Sequence, residues 1–250
     1  MAEEFESPRT AIVTGAARRI GAAIARALAA DGWHVLIHCN RSADEAEVLA
    51  EEIGGRVVQA DLAAPEAADT IFAALDGLPP LRLLVNNASV FEGDGLDDFT
   101  AARWDHAQAV NLRAPALLTQ AFARHAEAGG LVVNMLDAKL AFPNPDFFSY
   151  TVSKMGLAGL TELAARALAA QRIRVCGIAP SVTLVSGPQS ADNYERVHAL
   201  NALERGVTVE QIVAALRFLI ASPTFTGQVI TLDAGQRFLG LPRDVQFLEP

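Results

Sequence analysis

Apolar residues in this chain fall into short blocks separated by longer stretches in which they recur every three or four positions. The blocks at 10–14, 34–39, 57–60, 81–85, 131–136, 173–178 and 229–232 have the length and β-branched content of buried strands. The stretches between them have helical periodicity. One, at 20–30, is alanine-rich and is followed by Gly32 as a stop signal; another, Ala43–Ile53, ends at Gly54-Gly55 in the same way. Strands that alternate with helices in this manner pair in parallel through right-handed crossovers, and the helices then cover both faces of the sheet. The pattern predicts a doubly wound α/β fold of Rossmann type with about seven strands, forming one domain over 1–250. A polar, Gly- and Pro-containing stretch at 181–193 interrupts the alternation and is expected to be a substrate lid.

Composition narrows the class. A chain of 250 residues with 51% hydrophobic content can fill one large α/β core. No uncharged apolar run reaches the roughly 20 residues of a membrane span, and the acidic first residues lack the basic start and apolar core of an export signal. Cys39 and Cys176 lie in strand-like runs, where free cysteine behaves as a small buried hydrophobe, so a reducing, cytoplasmic setting without disulfides is expected. A net charge of −9 argues against nucleic acid as a partner. The histidines show no chelating pattern: His34 and His38 on an extended strand would be about 13 Å apart, and no metal is expected.

The first strand runs into Thr14-Gly15-Ala16-Ala17-Arg18-Arg19-Ile20-Gly21, which opens a helix. Gly15 permits a sharp turn, the small alanines let backbone approach a pyrophosphate, and the helix N-terminus supplies free N–H groups and a positive dipole end. This is a dinucleotide-binding context, the plainer reading being a tight turn with a packing glycine. The second strand ends Cys39-Asn40-Arg41-Ser42 without the acid that would bond a free ribose 2′-hydroxyl, and Arg41 with Arg18 is placed to clamp a 2′-phosphate. NADP, used as NADPH, is the expected cofactor. Ser42-Ala43-Asp44-Glu45 also reads as a capping box. Asp61-Leu62 follows the third strand, where the carboxylate either receives the adenine amino group or caps the next helix. Asn86-Asn87-Ala88-Ser89 closes the fourth strand, with small residues that let a cofactor ribose lie close.

Tyr150 and Lys154 stand four apart in a helical stretch and so share a face. The ammonium is expected to lower the phenol from its ordinary value of about 10 and ready it as a general acid. Asp137 ends an apolar run thirteen residues earlier. A carboxyl beside such a tyrosine either supplies or relays a second proton, for which it must carry one, or binds an amidine-like ring edge; its ordinary reading at a strand end is a turn cap. Asn111 is polar within an apolar pattern of Val110, Leu112, Leu117 and Leu118, and its plain reading is a helix-bending or hydrogen-bonded core residue.

Together these residues resemble the short-chain dehydrogenase/reductase family over essentially the whole chain. The resemblance puts that family's Asn, Ser, Tyr, Lys set on Asn111, Asp137, Tyr150 and Lys154, with aspartate in place of the serine. Arg19 stands where the family's second motif glycine usually lies, and Arg19 with Asp137 is similar to the pteridine reductase branch, bacterial dihydromonapterin reductases included. In that branch the arginine reaches the cofactor phosphates and the pterin, and an aromatic at the position of Phe91 sandwiches the pterin against the nicotinamide. The resemblance therefore implies substrate contacts at Arg19, Ser89, Phe91, Asp137 and Tyr150. It implies cofactor contacts at Gly15, Arg18, Arg19, Ile20, Asn40, Arg41, Ser42, Asp61, Leu62, Asn87, Ala88, Ser89, Lys154 and Pro180. Two segments depart from the family pattern: Ala179-Pro180-Ser181 replaces its Pro-Gly, and Asp233-Ala234-Gly235 its Asp-Gly-Gly.

The implied activity is NADPH-dependent reduction of a pteridine ring of dihydropterin, dihydrobiopterin, dihydromonapterin or folate type. The alternatives are a ketone or aldehyde reductase that keeps Tyr150 and Lys154, and a non-catalytic nucleotide-binding protein. The apolar tail at 236–250 is expected to pack against another subunit, as in tetramers of the resembled family, or else to dock on its own domain.

Overall fold

The computed structural model describes residues 7–126, 129–185 and 190–248. Its seven strands are β1 (Arg9–Val13), β2 (Trp33–Cys39), β3 (Arg56–Gln59), β4 (Leu81–Asn86), β5 (Leu131–Met135), β6 (Arg174–Pro180) and β7 (Val229–Leu232). All pair in parallel in the order β3-β2-β1-β4-β5-β6-β7. Strand order reverses between β1 and β4, and the crevice beyond the carboxyl ends of these two strands is where open α/β sheets bind ligands.

Alternate side chains of the strands leave on opposite faces. Ala11, Val13, Val35, Ile37, Leu83 and Val85 pack on one face, beneath helices α1 (Arg19–Ala30), α2 (Ala43–Ile53) and α8 (Val209–Ala221). Ile12, Leu36, Leu84, Val132 and Val175 pack on the other, beneath α3 (Ala67–Ala73), α5 (Ala114–His125) and α6 (Phe148–Leu168). The β5 strand is buried along its whole length, which is why its sequence shows a mostly apolar run, broken by the buried Asn134, and not an alternation. The glycine stops work as expected: α2 ends on Gly54 in the left-handed region (φ 66°), and Gly32 follows α1 with φ 81°.

Three local features differ from the sequence reading. Ser42 precedes α2 but makes no capping bond, and Glu45 turns away to Arg18, with Nη1 to Oε1 at 3.5 Å. The long helical stretch after Trp104 is α4 (Ala101–Gln108) and α5 joined by a π-helical segment, Ala109–Arg113, that has Asn111 at its centre. The lid stretch is partly helix, since α7 spans Ala191–His198, and the Tyr194 hydroxyl donates to the Thr183 carbonyl at 2.8 Å. Positions 186–189 of that stretch lie outside the described residues.

The described part of the tail docks on its own domain. The Asp244 N–H donates to Asp146 at 2.7 Å, Asn193 donates to the Gln246 carbonyl at 3.3 Å, and Arg196 donates to the Leu248 carbonyl at 2.8 Å. No described helix is long and apolar enough to cross a membrane.

Candidate active site

The turn after β1 is built for close approach. Gly15 has φ 62°, and a Cβ on it would lie 3.0 Å from the Ala88 Cα. A Cβ on Gly21 would lie 2.2 Å from the Gly15 carbonyl oxygen and 2.7 Å from Asn87 Nδ2, so no larger residue fits there. Asn87 braces this turn by donating to the carbonyls of Thr14 at 2.8 Å and Gly15 at 3.2 Å, while Thr14 Oγ1 accepts from the N–H groups of Asn87 and Ala88. His38, buried in β2, accepts from the Gly15 N–H on Nδ1 at 3.1 Å. Its Nε2 therefore carries the proton and donates to the Ala60 carbonyl at 3.0 Å. Burial pushes the His38 imidazole down to about 4, against the opposing pulls of the Ala60 carbonyl and Asp61.

Around this turn, Arg18, Arg19, Asn40 and Arg41 are exposed. Asn40 donates to Asp61 at 3.3 Å, and Asp61 also accepts from the Ala63 N–H at 3.0 Å as a turn cap, while Leu62 is buried in the core. The glycine turn at a helix start, with arginines and no acid at the end of β2, fits a dinucleotide carrying a 2′-phosphate. Arg19 has φ 57°, a conformation that favours glycine, at the position where the family pattern has one.

A cavity of about 310 Å³ opens beside this turn. Arg19, Ile20, Asn87, Ser89, Phe91, Asp137, Tyr150, Lys154 and Pro180 all line it, which brings the central predicted site residues together. Gly15, Arg18, Asn40, Arg41, Ser42, Asp61, Leu62, Ala88 and Asn111 do not line it. Asn111 is used up structurally. Its Oδ1 accepts from Ser89 Oγ and the Val90 N–H at 3.2 and 2.9 Å, and its Nδ2 donates to the Val90 carbonyl and Ser153 Oγ, each at 3.0 Å. Its side chain so clamps the loop after β4 to α6 and has no donor or acceptor to spare.

Helix α6 presents Tyr150 and Lys154 from its first two turns. Its start is set by Phe147, held left-handed at φ 53°, and by Asp94, whose carboxylate accepts from the Ser149 N–H at 3.0 Å. The Tyr150 hydroxyl donates to Asp137 Oδ2 at 2.7 Å, and Asp137 Oδ1 accepts from the Lys139 N–H at 2.8 Å. Asp137 is therefore both the turn cap and the partner of the tyrosine.

The shift of Tyr150 is opposite to the one expected from Lys154. Burial, the charge of Asp137, the hydrogen bond to it and the charge of Asp244 together hold the Tyr150 phenol well above its ordinary value. Lys154 donates to the Met135 carbonyl at 2.7 Å with Nζ 5.6 Å from the tyrosine ring centre, and burial lowers its own value to about 8, with Asp137 opposing. The sequence spacing shows that the two share a face; the depth at which both are buried decides the sign.

Of the outer wall, the sequence reading names Phe91 alone. Phe91 stacks on Phe147 at 4.1 Å between ring centres and meets Tyr150 edge-on at 4.7 Å, and Phe147 stacks in turn on Phe247 of the tail at 5.6 Å. Lys139 Nζ donates to the Asp146 carbonyl at 2.5 Å and lies 3.6 Å from Asp244 Oδ2, while Arg243 binds Asp146 through Nε at 2.9 Å. Burial pushes the Asp244 carboxyl up and the Lys139 ammonium down, each opposed by the charge of the other. The available signal was the adjacent Arg243-Asp244 charge pair in the C-terminal tail.

Comparison with known proteins agrees with this geometry. The family described as enoyl-(acyl carrier protein) reductase matches residues 15–237. The alternative dihydrofolate reductase FolM of Brucella canis, solved with NADP, superposes with a TM-score of 0.89 at 41% identity over 94% of this chain and 96% of its own. Pteridine reductase 1 of Leishmania tarentolae is 32% identical, with 90% of this chain and 95% of that protein covered. A 3-oxoacyl-[acyl-carrier-protein] reductase of Synechocystis is 30% identical over 91% of this chain and 96% of that enzyme. On this match and on the Asn111, Tyr150 and Lys154 arrangement, the chain belongs to the short-chain dehydrogenase/reductase family of oxidoreductases.

Proposed function

We propose that this protein is an NADPH-dependent reductase of a pteridine ring in the dihydropterin oxidation state. The observation that carries the reading is the 2.7 Å bond from Tyr150 to Asp137 within the cavity shared by Lys154, Arg19 and Phe91. The likeness to FolM and to pteridine reductase 1, both named for pteridine-type substrates, supports it.

Gly15, Asn87 and the α1 N-terminus would hold the pyrophosphate, Arg18 with Arg41 the 2′-phosphate, and Lys154 the nicotinamide ribose. When bound, NADPH supplies a hydride to a ring carbon. The adjacent ring nitrogen needs one proton, and Tyr150 is the group to give it, because its raised affinity keeps the phenol protonated at working pH. A proton taken up from solvent then returns to the Tyr150 oxygen through Asp137, a relay that a serine in its place would perform poorly. Phe91, backed by Phe147, offers a flat aromatic surface for the ring, worth roughly 1 kcal/mol beyond burial.

A homo-oligomer, in the resembled family a tetramer, fits the exposed Phe218 and Val229 on α8 and β7. Light scattering on the purified protein reads its mass directly.

The test of function follows NADPH absorbance with dihydromonapterin and dihydrobiopterin beside a panel of ketones. Pterin-dependent oxidation is the expected result. Turnover of ketones alone would transfer the protein to the carbonyl reductases, a reading the Synechocystis relative favours.

A further inference from the structure

The part of the cavity bounded by the tail has an uneven supply of charge. Three of its lining cations are each paired with a carboxylate: Lys139 with Asp244 at 3.6 Å, Arg237 with Asp233 at 2.6 Å, and Arg243 with Asp146 at 2.8 Å. Arg19 and Lys154 lie on the cofactor side, the first at the helix start where the dinucleotide phosphates belong and the second buried on the Met135 carbonyl. Among the described residues, each of these three cations on the tail side is therefore already balanced by a carboxylate.

The tail side does offer acceptors. Asp137 has both oxygens engaged, by the Lys139 N–H and by Tyr150. Among the described residues, Asp244 accepts the Gln246 N–H, at 3.2 Å on Oδ1, besides its longer ion pair with Lys139. A carboxylate has about four acceptor positions, so Asp244 retains capacity that Asp137 uses on catalytic chemistry. Its side chain is 13% exposed. Its position is fixed from both sides, by its own N–H on Asp146 and by the stacking of Phe247 on Phe147.

We infer that Asp244 is a specificity-determining residue, whose carboxylate accepts hydrogen bonds from an uncharged hydroxylated substituent on the reduced ring and repels an anionic one. This rests on the pteridine reading and extends it to one residue, whose carboxylate would set the choice between dihydropterins with a polyol side chain and compounds with a glutamyl side chain. The tail that carries Asp244 is then a wall of the substrate site supplied by the same chain.

The experiment measures kcat/KM for dihydrobiopterin and for dihydrofolate with the full-length protein, as wild type, Asp244→Asn and Asp244→Glu. The wild type should prefer dihydrobiopterin at least tenfold. Asp244→Asn should shrink that preference about tenfold without a change in NADPH affinity, and Asp244→Glu should keep most of it. A preference in Asp244→Asn within twofold of the wild type overturns the assignment and leaves the pteridine reading standing. A wild type inert toward both pterins but active on ketones overturns the pteridine reading itself.

A second measurement needs no variant. Raising salt from 50 to 500 mM screens charge repulsion, so KM for dihydrofolate should fall several-fold while that for dihydrobiopterin holds. Equal salt responses of the two substrates also overturn the assignment.

Discussion

The Tyr150 hydroxyl donates to Asp137 Oδ2 at 2.7 Å, and the tyrosine is buried to 8% exposure. Desolvation and the neighbouring carboxylate both oppose the phenolate, so this tyrosine is a proton donor that stays loaded. Removing the hydroxyl should lower kcat about 10²- to 10⁴-fold, the usual worth of a placed general acid. Tyr150→Phe is expected to bind NADPH as the wild type does, since the hydroxyl reaches only Asp137 among the described residues. Steady-state kinetics beside a fluorescence titration of NADPH checks both halves.

Asp137→Asn separates the proton role from the turn cap. An amide oxygen still accepts from the Lys139 N–H, but an amide cannot return a proton to Tyr150. Turnover should drop about a hundredfold while NADPH affinity stays within twofold. The variant also removes a charge that raises the tyrosine, so the alkaline limb of the kcat profile should move to lower pH. Equal losses of turnover and cofactor binding would instead make Asp137 a structural cap.

Most of the sheet was legible because parallel strands buried on both faces leave apolar blocks of strand length; the half-exposed 229–232 strand, also an apolar block, and the Ala43–Ile53 helix coincide with the structure residue for residue. Tyr150, Lys154 and Arg19 were legible as local patterns, a helical spacing and a filled glycine position. Phe91 was legible through the family resemblance, whereas positions 147 and 247 carried no such signal, because the stacking joins three distant segments and each of the two alone reads as an ordinary apolar residue. The sign of the Tyr150 shift was illegible for another reason. Spacing shows which side chains share a face, whereas the shift depends on burial and on Asp137 and Asp244 arriving from other elements.

Lys154 sets a pH dependence with two opposite readouts. Its folded value of about 8 lies below the ordinary 10.5, so the free protein loses this charge as pH rises through 8. The kcat/KM for NADPH should fall above pH 8 where the ammonium holds the ribose, and Lys154→Met should flatten that limb. Stability moves the other way: between about 8 and 10.5 the unfolded chain binds more protons at this group, so its contribution to stability rises with pH there. Thermal melts of the cofactor-free protein across that range, compared with Lys154→Met, isolate the term.

His38 ties the cofactor turn to the end of β3, accepting from Gly15 and donating to Ala60. It does this only as a neutral ring. Its folded value of about 4 lies below the ordinary 6.5, so its contribution is present above 6.5 and is lost as pH falls through 4. The full term is on the order of 3 kcal/mol. Acid unfolding of His38→Gln should start from lower stability and show a shallower slope between pH 6.5 and 4. NADPH affinity should weaken several-fold at neutral pH, because the Gly15 turn loses its brace.

Arg19 provides the sharpest opposition between stability and function. It has φ 57° at the first residue of α1, where an L-residue with a Cβ costs about 1 kcal/mol and glycine costs almost nothing. The chain accepts that strain at a position lining the cavity, which is where backbone strain is retained when a side chain is needed. Arg19→Gly should therefore melt no lower than the wild type and up to a few degrees higher, the gain reduced by the freer unfolded chain. The same variant should bind NADPH about tenfold more weakly, through loss of a charge-assisted contact to phosphate. An arginine kept only for solubility would leave the affinity untouched. An arginine that stabilises the helix start would lower the melting temperature, so the two readouts taken together decide what the strain is for.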